Sequence, residues 1–309
     1  MLFRSFSLVA VLLLEHFRPL THRVQLYVYF ARYGNFLERH FNAGRYRYGL
    51  LAWALGILPP VLAMAIFYFF LYRASFLLAM LFNVGVLYLT LGCSQFTQSS
   101  GRLAAALREH DLDTARKIVG DWDGRSIADF NAVSLARIGM EKLFICAHRQ
   151  FFGVFFWFAL LGPAGALLYR LAHILHQKWG ALDHQQYGRF GIFADTAFRY
   201  LDWMPLRLTA VSFAVVGDFE DAIRCWQEQA LKWANPSQGI ILASGAGALG
   251  VRLGEPLEVD GQIFYRSELG LGDEPDADYL ESAVSLIWRA ISLWLGVLLL
   301  LTIAKWAGS

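Results

Sequence analysis

The chain has 309 residues, 57% of them apolar and 17% charged. Ordinary soluble domains carry roughly 45–50% and 25%, so the charges here cannot cover a water-facing surface and a soluble protein is excluded. Net charge is only +2, which excludes nucleic-acid binding by bulk electrostatics, and Cys93, Cys146 and Cys225 lack C-x-x-C spacing, so they read as buried thiols with no disulfide framework or metal site.

In chain order, LFRSFSLVAVLLL at 2–14 is short for a span and no small-residue cleavage site follows it, so 2–15 reads as an uncleaved first helix lying partly in the interface. Residues 16–48 hold Arg18, Arg23, Arg32, Arg39, Arg45 and Arg47 against the single acid Glu38, and cations in short loops favour the cytoplasm. Gly49 to Tyr72 is 24 residues without a charge, enough to cross about 30 Å of hydrocarbon. Its Pro59-Pro60 pair frees backbone carbonyls in mid-span, which predicts a kink and a neighbouring helix that satisfies them. Residues 74–93 return across the bilayer, with Asn83 as the polar interruption.

Segment 94–150 reads as helical and polar. RLAAALREH at 102–110 is amphipathic, Asp113 is the predicted N-cap of TARKIVG, and Ser126 or Asp129 starts a long helix running toward the membrane. The next span, 151–170, contains GPAGALLYR at 162–170, where Gly162, Pro163 and Gly165 interrupt an apolar run. Two readings stand: a kink whose small residues allow close helix packing, or a broken helix that presents N–H groups to an anion, with Arg170 adding charge and Tyr169 at the interface.

FGIFADTAFRYLDWMPLRLTA at 190–210 spaces Asp195, Arg199 and Asp202 four and three residues apart, an acid–base–acid ladder on one helix face. Asp202 and Arg207 lie in 201–217, taken as a span, where ionisable groups usually face a bundle interior or a polar cavity. They point about 140° apart on a regular helix, so Pro205 must bend it or each must find another partner. A polar cavity shared by Asp202, Arg207 and Arg170 beside the 162–165 break is the expected solution.

Segment 218–281 carries 13 acids against four bases and many glycines, and reads as a loop-rich acidic module. Within it, NPSQGIILASGAGALGVRLGEP at 235–256 offers Gly247, Gly250 and Arg252 as ligand-binding candidates, but is neither a Walker A loop nor a G-x-G-x-x-G opening, and taken alone it reads as loop and small-residue helix packing. The histidines show no H-E-x-x-H, His173 and His176 form an i,i+3 pair, and no metal site is expected. A final span covers 282–305.

The expected fold is therefore an all-α polytopic membrane bundle of five to six membrane helices, a single domain over 1–309, with the segments 16–48, 94–150 and 218–281 on the cytoplasmic side. The lipid bilayer is the partner the residues name, and a homo-oligomer stays open.

Five separated stretches, GPAGALLYR at 162–170, FG at 190–191, L-D-x-x-P-x-R-L-T-A at 201–210, GALGVRLGEP at 247–256 with DGQ just beyond, and LIWRA at 286–290, together resemble the CobD/CbiB cobalamin-biosynthesis membrane proteins. ARKIVGDWDG at 115–124 also fits that family's cytoplasmic loop. The resemblance implies an inner-membrane enzyme that joins adenosylcobyric acid to aminopropanol or its phosphate through an amide, with ATP and Mg²⁺ for carboxylate activation. Where the family reads roughly E-S-V-A-E-N-T-S-D-G, this chain has GMEKLFICAHRQFFG at 139–153, matching at Glu141 and Gly153, and the family's L-D-S-M has become LHQK at 175–178. Hard cations need oxygen ligands, so the resemblance leaves Glu141 and Asp202 as catalytic candidates and implies weak activity. The same region, with LDWMPLRL, also resembles the AmpE branch, non-enzymatic sensory membrane proteins linked to β-lactamase induction and peptidoglycan recycling. The implied ligand is then a corrinoid on the first reading and a cell-wall-derived molecule on the second.

Overall fold

The computed structural model describes residues 2–17, 23–91, 93–123, 130–180, 188–259 and 262–307. The fold is all-α apart from four short strands. Among the described residues three helices are long and apolar enough to cross a membrane, Tyr46–Ala74, Ala132–Leu161 and Ala277–Lys305, while Phe76–Thr90 is apolar but shorter. The chain divides into two compact units, one of residues 1–92, 153–204 and 299–309, the other of 93–152 and 205–298.

In the first unit, α1 (Leu2–Phe17) packs on α4 (Phe76–Thr90), while α3 (Tyr46–Ala74) packs on α2 (Arg23–Phe41), α4 and α9 (Pro163–Trp179). Leu58, Leu62, Ile66 and Phe70 of α3 are 49%, 57%, 57% and 65% exposed. Spaced four apart, they form an apolar stripe along one helix face, which suits a lipid environment. Asn83 is buried between the hairpin helices and donates to the Tyr68 hydroxyl at 3.2 Å. The two prolines stay inside a continuous helix, and the Tyr33 hydroxyl of α2 donates to the Leu55 carbonyl at 3.3 Å, the group that Pro59 cannot bond.

The span expected at 151–170 has different bounds. Helix α7 (Ala132–Ala147) continues through a π-helical turn, His148–Phe152, into α8 (Gly153–Leu161), and the chain then reverses at Gly162 into α9. A Cβ on Gly165 would stand 2.1 Å from the Trp157 carbonyl oxygen, and one on Gly153 would stand 2.1 Å from Tyr169 Cζ. Residues equidistant from the turn thus face each other, so α8 and α9 form an antiparallel hairpin. Gly162 adopts φ 69°, ψ −151°, a conformation essentially reserved for glycine; the Gly-Pro pair is a reversal and not a kink in one span.

In the second unit α5 (Cys93–Arg108), α6 (Leu112–Asp123) and α7 pack together. The cap of α6 is Asp111, whose Oδ1 accepts from the Thr114 amide at 3.1 Å. Asp113 lies inside the first turn, two residues after the cap, and pairs with Arg116 at 3.2 Å. Asn131 caps α7 by accepting from the Ser134 amide at 2.8 Å, and the expected starts Ser126 and Asp129 lie outside the described residues. Helix α10 (Ile192–Val216) runs through both units and is not among the helices apolar enough to cross.

The acidic module is more helical than its glycines suggest. Helix α11 (Phe219–Gln229) starts at the Asp218 cap and packs on α12 (Pro236–Leu249), a helix buried along its length that contains most of the SGAGALG run. A Cβ on Gly247 would meet the Asp221 carbonyl oxygen at 2.6 Å, so small residues are what let the two helices touch. Beyond Gly250, a left-handed C-cap at φ 65°, β1 (Arg252–Leu253) pairs antiparallel with β4 (Leu269–Gly270), and β2 (Leu257–Val259) with β3 (Gln262–Phe264). Helix α13 (Ala277–Ala307) ends the fold. Cys225 is buried, as its position on the apolar face of α11 requires, and Cys146 is partly so.

Candidate functional site

Two groups of motif residues come together, one in each unit. In the second, α7 places Arg137 and Glu141 one helical turn apart, both buried among apolar side chains. They meet the corner after β1. The Gly254 amide donates to Glu141 Oε1 at 3.0 Å, and Arg266 Nη1 donates to Glu141 Oε2 at 2.7 Å. Arg266 also donates to the carbonyls of Glu255 and Gly254, at 3.0 and 2.7 Å, and its guanidinium lies 5.3 Å from the centre of the Trp233 ring. Arg137 Nη2 stands 2.5 Å from Glu255 Oε2. Glu141 and GALGVRLGEP, read separately in the sequence, are thus parts of one buried charge network.

In the first unit the α8–α9 hairpin presents Tyr169, fully buried, whose hydroxyl donates to Asp202 Oδ1 of α10 at 2.7 Å. Gly153 lacks the side chain that would collide with that ring. The acid–base–acid ladder splits: Asp195 Oδ2 pairs with Arg199 at 3.1 Å on a half-exposed surface, whereas Asp202 is turned inward. His176 Nδ1 lies 3.3 Å from Asp195 Oδ1, and the rings of His173 and His176 stand 5.2 and 4.7 Å from that of Phe198. His176 stacks on the Phe198 ring and His173 lies tilted against it.

Gly162, Pro163 and Gly165 build the hairpin turn. Arg170 is half-buried on α9, and Arg207 is half-buried on α10 in the second unit. Gly247 and Gly250 serve the packing and end of α12. Arg252 is half-buried beside the corner; its amide donates to the Asp273 carbonyl at 2.8 Å.

Arg137, Glu255, Arg266 and His148 were not singled out in the sequence. Arg137 could have been found, since a cation on a mostly apolar helix, one turn before Glu141, needs an acidic partner. His148, in the π turn, has its Nδ1 3.0 Å from Thr209 Oγ1, which joins the stretch that departs from the family's acids to the L-T-A end of LDWMPLRLTA. Arg266 lies 125 residues from Glu141, and no local pattern announces it.

Neither an ATP nor a Mg²⁺ site is evident at Glu141. Both carboxylate oxygens are engaged by Gly254 and Arg266, and among the described residues no group of three or more His, Cys, Asp or Glu is placed to hold a metal.

Comparison with known proteins places these residues in a family. Relatives named cobalamin biosynthesis protein CobD include one from Stutzerimonas stutzeri (strain A1501), 34% identical over 303 residues that cover 95% of this chain and 96% of the relative. Another, from Chromobacterium violaceum, is 35% identical over 245 residues, 79% of this chain and 73% of its own. A third, from Mycobacterium tuberculosis (strain CDC 1551 / Oshkosh), is 27% identical over 201 residues, 63% of this chain and 64% of its own. No solved structure matches, and these relatives lend the AmpE reading no support. The family model described as CobD/Cbib protein matches residues 7–287, a range that takes in both the Glu141–Arg266 network and the Tyr169–Asp202 contact; the chain belongs to the CobD/CbiB family.

Proposed function

We propose that the chain serves cobalamin biosynthesis as a multi-pass inner-membrane protein that binds adenosylcobyric acid and an aminopropanol-type amine, and that it forms the amide between them slowly. The family match over 7–287 carries the first part. The second rests on Glu141. Amide formation from a carboxylate requires that the carboxyl oxygen be activated and that the amine lose a proton, and a free carboxylate is a suitable base or cation ligand for either step. Glu141 is instead occupied in holding the Gly254–Glu255 corner, so its contribution is to position that corner. Arg137, Arg252 and Arg266 against Glu141 and Glu255 leave the region with one net positive charge, which suits the anionic carboxylates and phosphates of such substrates.

The test is equilibrium binding of adenosylcobyric acid to the detergent-purified full chain, together with complementation of a strain lacking the corrinoid amide synthase. Corrinoid binding with faint rescue is expected. No binding would overturn the cobalamin reading, and robust rescue would overturn the slow-catalysis part. The same reading puts 16–48, 94–150 and 218–281 on the cytoplasmic side, so a cysteine introduced at Ser237 should resist membrane-impermeant labelling in intact cells. Efficient labelling would refute this topology.

A further inference from the structure

We propose that the Arg137 guanidinium is a binding point for a phosphate monoester, and that in this structure the Glu255 carboxylate holds the place of that anion. Arg137 is 4% exposed. A guanidinium carries five N–H donors, but the ion pair of Arg137 is the one to Glu255, and its buried Nε has no hydrogen-bond partner among the described residues. Withdrawing a cation from water and leaving its donors unmade is costly, and a site under no demand to bind an anion would gain by replacing it. The Nε of Arg252, two residues before Gly254, is likewise buried and without a hydrogen-bond partner among the described residues.

The corner that carries Glu255 is arranged to let its side chain go. Glu255 adopts φ 64°, a left-handed conformation that side-chain-bearing residues other than Asn and Asp rarely take and that recurs at ligand clamps. The backbone is pinned on both sides: the Gly254 amide is held by Glu141, and the Gly254 and Glu255 carbonyls by Arg266. The carboxylate, by contrast, is held by Arg137 and is 21% exposed where Arg137 is buried. Rotation about the side-chain bonds of Glu255 therefore uncovers the guanidinium without unfolding the corner. The Glu255 carboxylate then no longer neutralises Arg137, whose guanidinium offers its donors to an incoming dianion. A phosphate fits the planar fork of Arg bidentately, as the carboxylate does, and brings a second negative charge.

This deepens the cobalamin reading by naming a subsite and rests on it only for the identity of the natural ligand, because phosphate binding can be measured without a corrinoid. Titration calorimetry on the full chain in detergent at neutral pH and fixed ionic strength would use inorganic phosphate, ethanolamine phosphate and ATP; a further arm would use the chain in nanodiscs containing phosphatidic acid. Preference for ethanolamine phosphate identifies a soluble amino-alcohol phosphate, preference for ATP a nucleotide, and competition by phosphatidic acid a lipid headgroup. Glu255→Gln removes the internal competitor and should tighten phosphate binding about tenfold, the weight of one charge-assisted contact, and Arg137→Gln should abolish it. Unchanged or weaker binding by E255Q overturns the proposal even if R137Q fails to fold. Phosphate binding without corrinoid binding would sink the cobalamin reading alone, and corrinoid binding with no response to E255Q would sink this one alone.

Discussion

The hydroxyl of Tyr33 donates to the carbonyl of Leu55 at 3.3 Å, the oxygen four residues before Pro59. In an uninterrupted helix that oxygen would accept the N–H of residue 59, and proline has none. In an apolar setting an unmet carbonyl costs about 1–3 kcal/mol, so α2 supplies from outside what α3 cannot supply itself. Tyr33→Phe should lower stability in detergent by about 1 kcal/mol, and in a Pro59→Ala background, where the N–H returns, by much less. A denaturant double-mutant cycle reads the difference; simple additivity would mean that Tyr33 does not serve Leu55.

Tyr169 and Asp202 give a second coupled pair. Removing either group breaks the buried hydrogen bond between them, so each single change should cost about 1–3 kcal/mol while the double costs less than the sum. Gly153→Ala belongs to the same group, because its Cβ would lie 2.1 Å from Tyr169 Cζ. Overpacking of this kind costs about 1–3 kcal/mol, and a smaller residue at 169 should relieve it. Thermal unfolding in detergent of the single and paired variants decides, and a Gly153→Ala cost that persists after Tyr169→Ala would show that the ring is not the obstacle.

The parts of the fold legible in the sequence are those that depend on one segment. The 24 charge-free residues from Gly49 to Tyr72 announce α3, and Pro59-Pro60 announce the need for an outside donor. The reversal at Gly162 was not legible, since Gly-Pro ends a helix whether the chain turns back or continues, and only the approach of Gly153 to Tyr169 and of Gly165 to Trp157 decides it. SGAGALG reads as loop and small-residue helix packing, because glycine weakens an isolated helix yet lets a neighbour approach closely. Close packing against α11 decides for the helix, and it is a tertiary cause. Glu141 and Asp202 were visible as acids in apolar surroundings, but their partners Arg266 and Tyr169 lie 125 and 33 residues away, beyond any local spacing rule.

The Glu141–Arg266 pair predicts an asymmetry. Glu141→Ala alone leaves Arg266 half-buried against the corner without its counter-charge and frees the Gly254 amide, and such uncompensated loss from a buried pair costs about 3–5 kcal/mol. Replacing both with leucine removes the stranded charge and should be milder than Glu141→Ala. Urea unfolding midpoints of the two variants test this. A double variant less stable than the single would mean that the pair contributes net attraction beyond its burial cost.

The last prediction concerns acid. The carboxyl of Asp111 is held below the ordinary carboxylate range by hydrogen bonds from the Thr114 hydroxyl and then the Thr114 amide, the second at 3.1 Å. Both favour the ionised form and exist only while α6 is formed. A carboxyl depressed on folding stabilises above its unfolded value, about 3.9, and that contribution disappears as pH falls through the lower folded value. The first turn of α6 should therefore stay closed from neutrality down to about pH 4 and fray below it. Hydrogen exchange at the Thr114 amide, corrected for its intrinsic pH dependence, should show protection falling across that acid range. Asp111→Asn keeps an acceptor at the cap but has no proton to gain, so its protection should be flat where the parent's falls. A parent and an Asn variant that lose protection together would place the acid-sensitive group elsewhere in the unit and remove Asp111 from the account.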